Sequence, residues 1–282
     1  MAVLTIQSRV VAGHVGNSAA VFCLERSGVE TWGLDTLQFS NHTAAEGWTG
    51  DVFTTEHLRR VLAGLDHCSG FENCDAVLSG YLGAADVGDV VLDTVREVRK
   101  ANPAAIYCCD TVMGDGGEFY VDEAIPEFMR DKAVPYADVI TPNAWELGWL
   151  TDTEVKTPED AISAAYKLIG KGRLSTVLST GLKKGDKLSG LVITKKGVWE
   201  VVTPKADFNA EVCCGAGDMT TAIFLANLVK THQPDLALQM AVSAIYGIID
   251  KTVRLNRKDL ALIEAQDEIV KPDILFPVAR IR

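Results

Sequence analysis

The chain has 282 residues, of which 48% are hydrophobic and 23% charged, a composition typical of a globular protein. Its formal net charge of −11 and the lack of a long basic stretch argue against a nucleic-acid-binding function. The sequence also predicts neither a signal peptide nor a membrane span, because no window offers about 18 consecutive apolar residues. An acidic protein repels anions at long range, so a bound phosphate must be neutralised locally or by a cation.

Cysteine usage indicates a reducing compartment. The number of cysteines is odd, and two adjacent pairs lie inside apolar runs, which favours reduced and mostly buried thiols in a cytoplasmic protein. No C-x-x-C motif is present, so a zinc site is improbable. The seven cysteines are Cys23, Cys68, Cys74, Cys108, Cys109, Cys213 and Cys214.

Short strand-like runs alternate with amphipathic helical runs along the whole chain. The predicted strands are 2–8, 30–40, 74–81, 104–114, 137–143 and 176–180, followed by a hairpin over 190–204 that turns at Lys196-Gly197. The predicted helices are 15–28, 55–67, 85–103 and 157–172, a long helix that begins near Asp218, and 235–253. Thr157 as N-cap with Pro158 at the first helical position marks one of these starts clearly.

Strand–helix alternation predicts an α/β fold in which helices cover both faces of a mainly parallel sheet. No internal repeat or linker divides the chain, so we expect a single domain over residues 1–282. Ligands of such sheets bind beyond the carboxyl ends of the strands. Polar residues follow several predicted strands at that position: Ser8, Ser79-Gly80-Tyr81, Asp110, Thr141-Pro142-Asn143 and Ser179-Thr180.

The segment Gly215-Ala216-Gly217-Asp218 opens a predicted helix and suits anion binding. Glycines let the backbone approach a ligand, and the first N–H groups of a helix have no intrahelical partner. Asp218 could simply favour the helix N-terminus. Alternatively, it accepts a proton from an attacking hydroxyl while the N–H groups stabilise a transferring phosphoryl group. A carboxylate beside an anion site would then serve the nucleophile.

Asp110 ends an apolar strand, and Asp115 follows five residues later. Together with Asn143 and Glu146, these side chains could hold Mg²⁺ through oxygen ligands and water. Asp110 could instead cap a loop, and Glu146 could favour a helix dipole.

The segment QFSNHT, residues 38–43, is polar with one aromatic side chain. It is either a loop or a substrate-binding segment in which Phe39 stacks on a ring and Thr43 donates a hydrogen bond. Neither His14 nor His42 has the sequence context of a catalytic residue.

Together, these motifs resemble the pyridoxal kinases of the ribokinase-like superfamily. The glycine-aspartate motif alone indicates the superfamily, whereas residues 6–20 with 37–43 are far more specific. The segments that carry the resemblance are IQSRVVAGHVGNSAA (6–20), LQFSNHT (37–43), VLSGYLG (77–83), CDTVMGD (109–115) and VITPNAWE (139–146). The resemblance implies a ribokinase-like fold, usually homodimeric, that transfers the ATP γ-phosphate to the 5′-hydroxymethyl group of pyridoxal.

The resemblance also implies roles for individual residues. Asp218 matches the catalytic base, and Gly215, Ala216 and Gly217 match the anion hole. Ser8, Leu37, Phe39, Thr43 and Tyr81 match the pyridoxal pocket. Asp110, Thr141 and Glu146 match the region for Mg²⁺ and a monovalent cation such as K⁺. Asp115, Asn143, Ser179 and Thr180 match positions around the nucleotide phosphates, and Tyr120 belongs to a mobile flap.

Two positions depart from the family pattern. Thr111 stands where Pro is usual, which affects the expected backbone path after Asp110, and Ala216 stands where Thr or Val is common. The alternatives that remain are a hydroxymethylpyrimidine kinase and a pyridoxal 5′-phosphate binding or delivery protein with weak kinase activity. A sugar or nucleoside kinase fits the substrate segments less well, and the preference among pyridoxal, pyridoxine and pyridoxamine is open.

Overall fold

The structure is a computed structural model that describes residues 1–43, 47–205 and 214–282. Cys213, predicted to be a reduced thiol, lies outside the described residues. Within them, Cys23, Cys68, Cys74, Cys108 and Cys109 are free thiols, and all of these except Cys68 are buried.

One large sheet carries the fold. Its strands and those of a small second sheet are, in chain order, β1 Ala2–Val10, β2 Glu30–Phe39, β3 Gly50–Val52, β4 Cys74–Ser79, β5 Ile106–Cys109, β6 Gly114–Asp115, β7 Glu118–Phe119, β8 Val139–Ile140, β9 Thr176–Lys184, β10 Lys187–Thr194, β11 Gly197–Pro204 and β12 Val278–Arg280. The large sheet has ten strands in the order β12-β11-β10-β9-β8-β5-β4-β1-β2-β3, and β6 pairs with β7 alone.

The centre of the large sheet is parallel and its two edges are antiparallel. Strands β9, β8, β5, β4, β1 and β2 run parallel, whereas β10, β11 and β12 extend one edge and β3 the other in antiparallel pairs. The predicted mainly parallel α/β sheet is therefore confirmed.

Helices cover both faces of this sheet. They are α1 Asn17–Arg26, α2 Thr55–Ser69, α3 Ala85–Ala101, α4 Ile125–Phe128, α5 Val134–Tyr136, α6 Ala144–Thr151, α7 Pro158–Leu168, α8 Ala216–Thr231 and α9 Pro234–Arg254, and a π-helical turn, Met129–Ala133, joins α4 to α5. One hydrophobic core lies between the sheet and α2, α3, α6 and α7, and a second lies between the sheet and α1, α8 and α9.

The alternation of side chains in β1 shows how one strand contributes residues to both hydrophobic cores. Leu4 and Ile6 pack into the first core, and Val3, which precedes Leu4, packs into the second. Because successive strand residues point to opposite faces, a strand covered on both sides is buried almost throughout. All of β1 except Arg9 is buried.

Helix α9 is the one helix of the described residues that is long and apolar enough to cross a membrane, with a mean hydropathy of 1.3. Its buried residues, among them Ala237, Leu238 and Ala241, pack into the second core. We therefore interpret α9 as a core helix, because such helices have the same composition as membrane spans.

The local signals in the sequence locate most of these elements. Thr157 Oγ1 accepts a hydrogen bond from the Asp160 N–H, and the Asp160 carboxylate accepts one from the Thr157 N–H at 3.0 Å. Helix α7 therefore starts with a capping box as well as the predicted N-cap. The hairpin prediction was wrong by one residue: Thr194 pairs with Gly197, so the turn is Lys195-Lys196.

Candidate active site at the carboxyl ends of the parallel strands

Three predicted site residues, Tyr81, Asp110 and Thr141, follow adjacent strands of the parallel centre, and Ser8 lies near the carboxyl end of β1. The Asp110 N–H donates to the Ser79 carbonyl at 2.8 Å, and the Thr141 N–H donates to the Cys109 carbonyl at 3.2 Å. The Ser8 N–H likewise donates to the Tyr81 carbonyl at 3.1 Å. Because these bonds tie neighbouring strand ends together, Ser8, Tyr81, Asp110 and Thr141 lie along one edge of the sheet.

Helix α8 begins beside this edge with an unusually close backbone approach. Gly215 has a φ of 90°, and a Cβ atom there would lie 1.9 Å from the His14 carbonyl oxygen. A Cβ atom on Gly217 would meet nothing within 4 Å. Gly215 is therefore required by packing, whereas Gly217 leaves open space in front of helix N–H groups that lack intrahelical partners.

Asp218 is the third residue of α8 and is half-buried. Burial raises the pKa of its carboxyl group from 3.8 to about 6, and a hydrogen bond from the Gly16 backbone N–H opposes this rise. A carboxylate with a pKa of about 6 is ionised at neutral pH and is a better proton acceptor than an ordinary Asp. The geometry thus places a proton acceptor in the first turn of a helix whose N–H groups lack intrahelical partners.

Asp110 is buried, and hydroxyl groups hold both of its carboxylate oxygens. Thr141 Oγ1 donates to Oδ1 at 2.9 Å, and Thr221 Oγ1 donates to Oδ2 at 3.3 Å. Burial, followed by the charges of Asp218 and Glu146, raises the pKa of Asp110 well above its usual value, and the two hydroxyls oppose this. A cation placed here would stabilise the ionised carboxylates.

The Glu146 carboxylate is surrounded by protein donors. Its Oε1 accepts hydrogen bonds from the N–H groups of Met113 at 2.9 Å and Gly114 at 3.5 Å. Its Oε2 accepts from the Asn143 N–H at 3.0 Å and from Thr111 Oγ1 at 3.3 Å. A carboxylate offers about four acceptor sites, so Glu146 has little capacity left for a metal ion. Despite these bonds, burial raises its pKa to about 7.

This bonding changes the expected role of Glu146. No group of three or more His, Cys, Asp or Glu side chains is close enough to hold a metal ion in residues 1–43, 47–205 and 214–282. Asp110 therefore offers a single carboxylate. Such a site fits a Mg²⁺ ion whose other ligands are nucleotide phosphates and water, which is common for this ion. Glu146 fits a structural role, in which its hydrogen bonds hold residues 111–114, directly after Asp110, in place.

The predicted substrate residues form an apolar cluster next to Ser8. Leu37 and Phe39 are buried together with Val10, and Tyr81 packs against them. The Phe39 ring lies 4.6 Å from the Trp48 ring, measured between centroids. Thr43, the remaining predicted member, is exposed in the loop after β2.

The two-stranded hairpin formed by β6 and β7 packs against α6, and we refer to it as the flap hairpin. Phe119 contacts Trp145 edge to face, with ring centroids 4.8 Å apart, and Trp149 at 5.7 Å. Asn143 Nδ2 donates to the Gly114 carbonyl at 2.9 Å. These contacts tie the hairpin to the start of α6.

The predicted phosphate-side residues Asp115 and Tyr120 lie on or beside the flap hairpin. Asp115 is exposed and accepts a hydrogen bond from the Gly116 N–H at 2.7 Å. Tyr120 follows β7. Burial and the nearby charges of Glu146, Asp110 and Asp218 raise its pKa, so the phenol lies close to the acidic edge of the sheet.

The other predicted nucleotide residues, Ser179 and Thr180, lie in β9. Ser179 is 1% exposed, and its Oγ has no hydrogen-bond partner among the described residues. A bulge in β9 at Thr180-Gly181 shifts the pairing beside it, since Ser189 pairs with Leu182 and Leu191 pairs with Ser179. An unsatisfied buried hydroxyl is costly and often marks a place where a ligand supplies the partner.

Comparisons with known proteins show which family the chain is similar to. The family model for phosphomethylpyrimidine kinase matches residues 55–262. The pyridoxal kinase PdxY of Rubrobacter xylanophilus is 44% identical over 285 residues, which cover 99% of this chain and 97% of that protein. The chain belongs to the pyridoxal kinase family.

Solved structures in the pyridoxal kinase family have the same fold. The pyridoxal kinase of Leishmania donovani in complex with ADP and pyridoxamine superposes with a TM-score of 0.91 at 29% identity, over 100% of this chain and 99% of that chain. The same enzyme with ADP and pyridoxine gives a TM-score of 0.90 at 28% identity and the same coverage. The predicted ribokinase-like fold and kinase class are thereby confirmed.

Some site residues of this family member were missed in the sequence. Thr221 follows Asp218 by three positions and so lies on the same face of α8, a spacing that could have revealed it. Gly16 and Asn17 lie inside the motif 6–20, but no local pattern assigns them a role. Thr111, which replaces the usual Pro, provides a hydroxyl donor to Glu146 that Pro could not provide.

Proposed function

We propose that this protein transfers the γ-phosphoryl group of ATP to the 5′-hydroxymethyl group of pyridoxal and gives pyridoxal 5′-phosphate in vitamin B6 salvage. The observation that carries the proposal is the position of Asp218, a carboxylate with a pKa of about 6 in the first turn of α8. Pyridoxine and pyridoxamine are further candidate substrates, because related pyridoxal kinase structures contain them.

In this mechanism Asp218 accepts the proton of the attacking 5′-hydroxyl group. The N–H groups of Gly215, Ala216 and Gly217 face the transferring phosphoryl group and stabilise its negative charge. A general base contributes about 10² to 10⁴ in rate, and the rest of the acceleration comes from positioning and charge neutralisation. Ala216 in place of a larger residue leaves the backbone donor intact.

The apolar cluster of Leu37, Phe39 and Tyr81 would hold the pyridine ring. Ser8, whose hydroxyl lies at the edge of this cluster, and Thr43 would bind the polar atoms of the ring. Stacking and hydrogen bonding together fix the 5′-hydroxyl near Asp218, which is the positional requirement for in-line transfer.

The nucleotide phosphates would lie between α8 and the flap hairpin. Ser179 supports this placement because its buried hydroxyl has no hydrogen-bond partner in residues 1–43, 47–205 and 214–282. Thr180, Asn143, Asp115 and Tyr120 would complete the phosphate side, and closure of the flap would exclude water from the reaction.

Mg²⁺ would accompany the nucleotide, held by Asp110 with Thr141 beside it, and it would neutralise phosphate charge. A monovalent cation such as K⁺ is proposed for the same acidic edge. Glu146 is proposed to support this region through the backbone rather than as a direct ligand, since its acceptor sites are occupied.

The family model favours one alternative substrate. Its description, phosphomethylpyrimidine kinase, makes a hydroxymethylpyrimidine the main competitor of pyridoxal. A storage or delivery protein for pyridoxal 5′-phosphate is the alternative from another class, and Asp218 argues against it because storage requires no base.

We further propose that the chain acts as a single catalytic domain in a cytoplasmic homodimer. The ten-stranded sheet supports one domain because it includes strands from Ala2 to Arg280. The buried free thiols support a reducing compartment. Sedimentation analysis of the purified protein tests the dimer.

The deciding experiment measures MgATP-dependent phosphorylation of pyridoxal, hydroxymethylpyrimidine and ribose by the wild type and by Asp218→Asn. We expect turnover of pyridoxal that falls by about 10² or more in the variant. Turnover of the pyrimidine alone would identify the alternative kinase. Tight binding of pyridoxal 5′-phosphate with negligible turnover in both proteins would identify the binding protein.

A further inference from the structure

The loop between β1 and α1, residues 11–16, contacts both sides of the proposed site, and we refer to it as the β1–α1 loop. Gly16 lies against Ser8, because a Cβ atom on Gly16 would be 2.2 Å from the Ser8 carbonyl oxygen and 2.5 Å from Ser8 Oγ. At the other side of the loop, a Cβ atom on Gly215 would be 1.9 Å from the His14 carbonyl oxygen. The β1–α1 loop therefore contacts Ser8 and the start of α8 at once.

Val15 makes the same connection with its side chain. It packs against the buried cluster of Val10, Leu37 and Phe39, on the side where the pyridine ring would bind. Its Cγ1 also lies 3.4 Å from the position of a Cβ atom on Gly215. A shift of Val15 would thus move the ring pocket relative to the first N–H groups of α8. Misplacement of reacting groups by about 1 Å can cost about 10² in rate.

Asn17, the first residue of α1, anchors the end of this loop in the protein interior. Its side chain is buried, with 1% of the residue exposed. Asn17 Nδ2 donates to Asp35 Oδ1 at 2.8 Å, to the Leu34 carbonyl at 3.0 Å and to the Gln7 carbonyl at 3.4 Å. Its Oδ1 accepts a hydrogen bond from Thr5 Oγ1 at 3.0 Å. Both ends of the amide are therefore bonded, and they join α1 to β1 and β2.

The next residue anchors the other end of the loop. Ser18 Oγ donates to the Val10 carbonyl at 2.6 Å and accepts a hydrogen bond from the Val10 N–H at 3.2 Å. Burial of an amide is costly unless hydrogen bonds compensate it, and an apolar side chain would fill the same space without that cost. What the Asn17 amide adds is a fixed position for the loop that the ring pocket and α8 share.

We propose that Asn17 is a positioning residue for phosphoryl transfer, whose buried amide holds the β1–α1 loop where it aligns the ring pocket with the start of α8. The inference rests on the proposed function, because it requires the pyridine ring to bind beside Val15. The bonds of Asn17 lead to residues outside the predicted site. Its loss must therefore appear in the alignment of the acceptor with the phosphoryl group, and nucleotide binding should be preserved.

This alignment can be measured within each variant as the ratio of two activities. Transfer to pyridoxal requires an aligned ring, whereas hydrolysis of ATP by water in the absence of pyridoxal does not. A variant that is merely less folded loses both activities in proportion, so the ratio reports positioning. We expect Asn17→Ala to lower the ratio of transfer to hydrolysis about tenfold or more, with the KM for ATP within about twofold of the wild type. A wild-type ratio would overturn the inference.

Asn102→Ala is the matched control. Asn102 Nδ2 donates to the Cys74 carbonyl at 2.9 Å, and its Oδ1 accepts a hydrogen bond from the Ala104 N–H at 3.2 Å. This amide joins the end of α3 to the start of β4, at the end of the sheet opposite the proposed site. We expect Asn102→Ala to be less stable than the wild type and to keep its ratio of transfer to hydrolysis. An equal fall of the ratio in both variants would overturn a specific role for Asn17.

A second variant decides if Asn17→Ala does not fold. Asp35 accepts the shortest hydrogen bond of the Asn17 amide, and its side chain is 24% exposed, so Asp35→Ala loosens the amide without opening a cavity in the core. We expect the ratio of transfer to hydrolysis to fall in this variant as well, and a wild-type ratio would overturn the inference.

The outcomes separate this inference from the proposed function. A wild-type protein that hydrolyses ATP but does not phosphorylate pyridoxal would overturn the proposed function, and the role of Asn17 with it. A wild-type protein that phosphorylates pyridoxal, together with an unchanged ratio in Asn17→Ala, would overturn the role of Asn17 alone.

Discussion

Thr221 Oγ1 donates a hydrogen bond to Asp110 Oδ2 at 3.3 Å and joins the first turns of α8 to the end of β5. The same oxygen lies 2.9 Å from Thr141 Oγ1, which itself donates to Asp110 Oδ1. Residues 111 positions apart in the sequence therefore meet at one buried carboxylate. The N-terminal turns of α8 and the proposed cation site are thus parts of one hydrogen-bonded unit.

Removal of the Thr221 hydroxyl should weaken catalysis more than folding. We expect Thr221→Val to lower kcat/KM by about 10- to 100-fold, because a hydrogen bond to a charged group contributes about 1.5–3 kcal/mol. It should also raise the Mg²⁺ concentration needed for half-maximal rate. Thr220→Val is the control, since that hydroxyl donates to the Ala216 carbonyl of its own helix. Equal losses in both variants would contradict a specific role for Thr221.

The pH dependence of the reaction should report Asp218. Because its folded-state pKa is about 6, we expect kcat/KM for pyridoxal to fall as pH decreases through 6, where the carboxylate becomes protonated. A rate profile that stays flat between pH 5 and 8 would contradict a base at this position.

The same raised pKa predicts that ionisation of Asp218, which favours activity, lowers the stability of the fold. A carboxyl group whose pKa rises from 3.8 to about 6 on folding stabilises the fold when protonated, and this contribution is lost as pH rises through 6. Asp218→Asn should therefore be more stable than the wild type at pH 8, by about 1–2 kcal/mol after allowance for partial exposure. This difference in stability should be smaller at pH 5. Urea unfolding at both pH values measures the difference, and a variant that is less stable at pH 8 would refute the assignment.

The two buried serines of neighbouring strands should behave differently. Ser179→Ala removes a hydroxyl that has no partner within the described part of the chain, so we expect unchanged or slightly higher stability together with a higher KM for ATP. Ser189→Ala removes a donor to Glu200 Oε1 at 2.8 Å and should cost about 1–3 kcal/mol of unfolding free energy without a change in KM. Thermal unfolding and ATP titration of both variants test this pair, and similar behaviour of the two would contradict the nucleotide role of Ser179.

Phe119 should hold the flap hairpin against α6. Its contacts with Trp145 and Trp149 predict that Phe119→Ala loosens the hairpin, changes tryptophan fluorescence and raises ATP hydrolysis relative to phosphate transfer to pyridoxal. Tyr166→Ala in α7, another exposed aromatic side chain, is the control. An unchanged ratio of hydrolysis to transfer in Phe119→Ala would argue against a closing flap.

The sequence by itself determined the parallel centre of the sheet, most helices and the residues at the strand ends. These features depend on short-range physics: apolar periodicity, the capping residues of α7, and glycines ahead of α8. The same local motif identified Asp218 and its helix terminus, since all four residues are contiguous.

Only the tertiary structure decided how distant segments complete the site. The edge strands β3 and β12 have three residues each and form because a neighbouring strand offers free hydrogen-bonding groups. The saturated bonding of Glu146 and the hydrogen bond of Thr221 to Asp110 arise between residues that folding alone brings together. Such contacts leave no periodic signal in the sequence, because their energy depends on a three-dimensional fit between backbone groups rather than on neighbouring side chains.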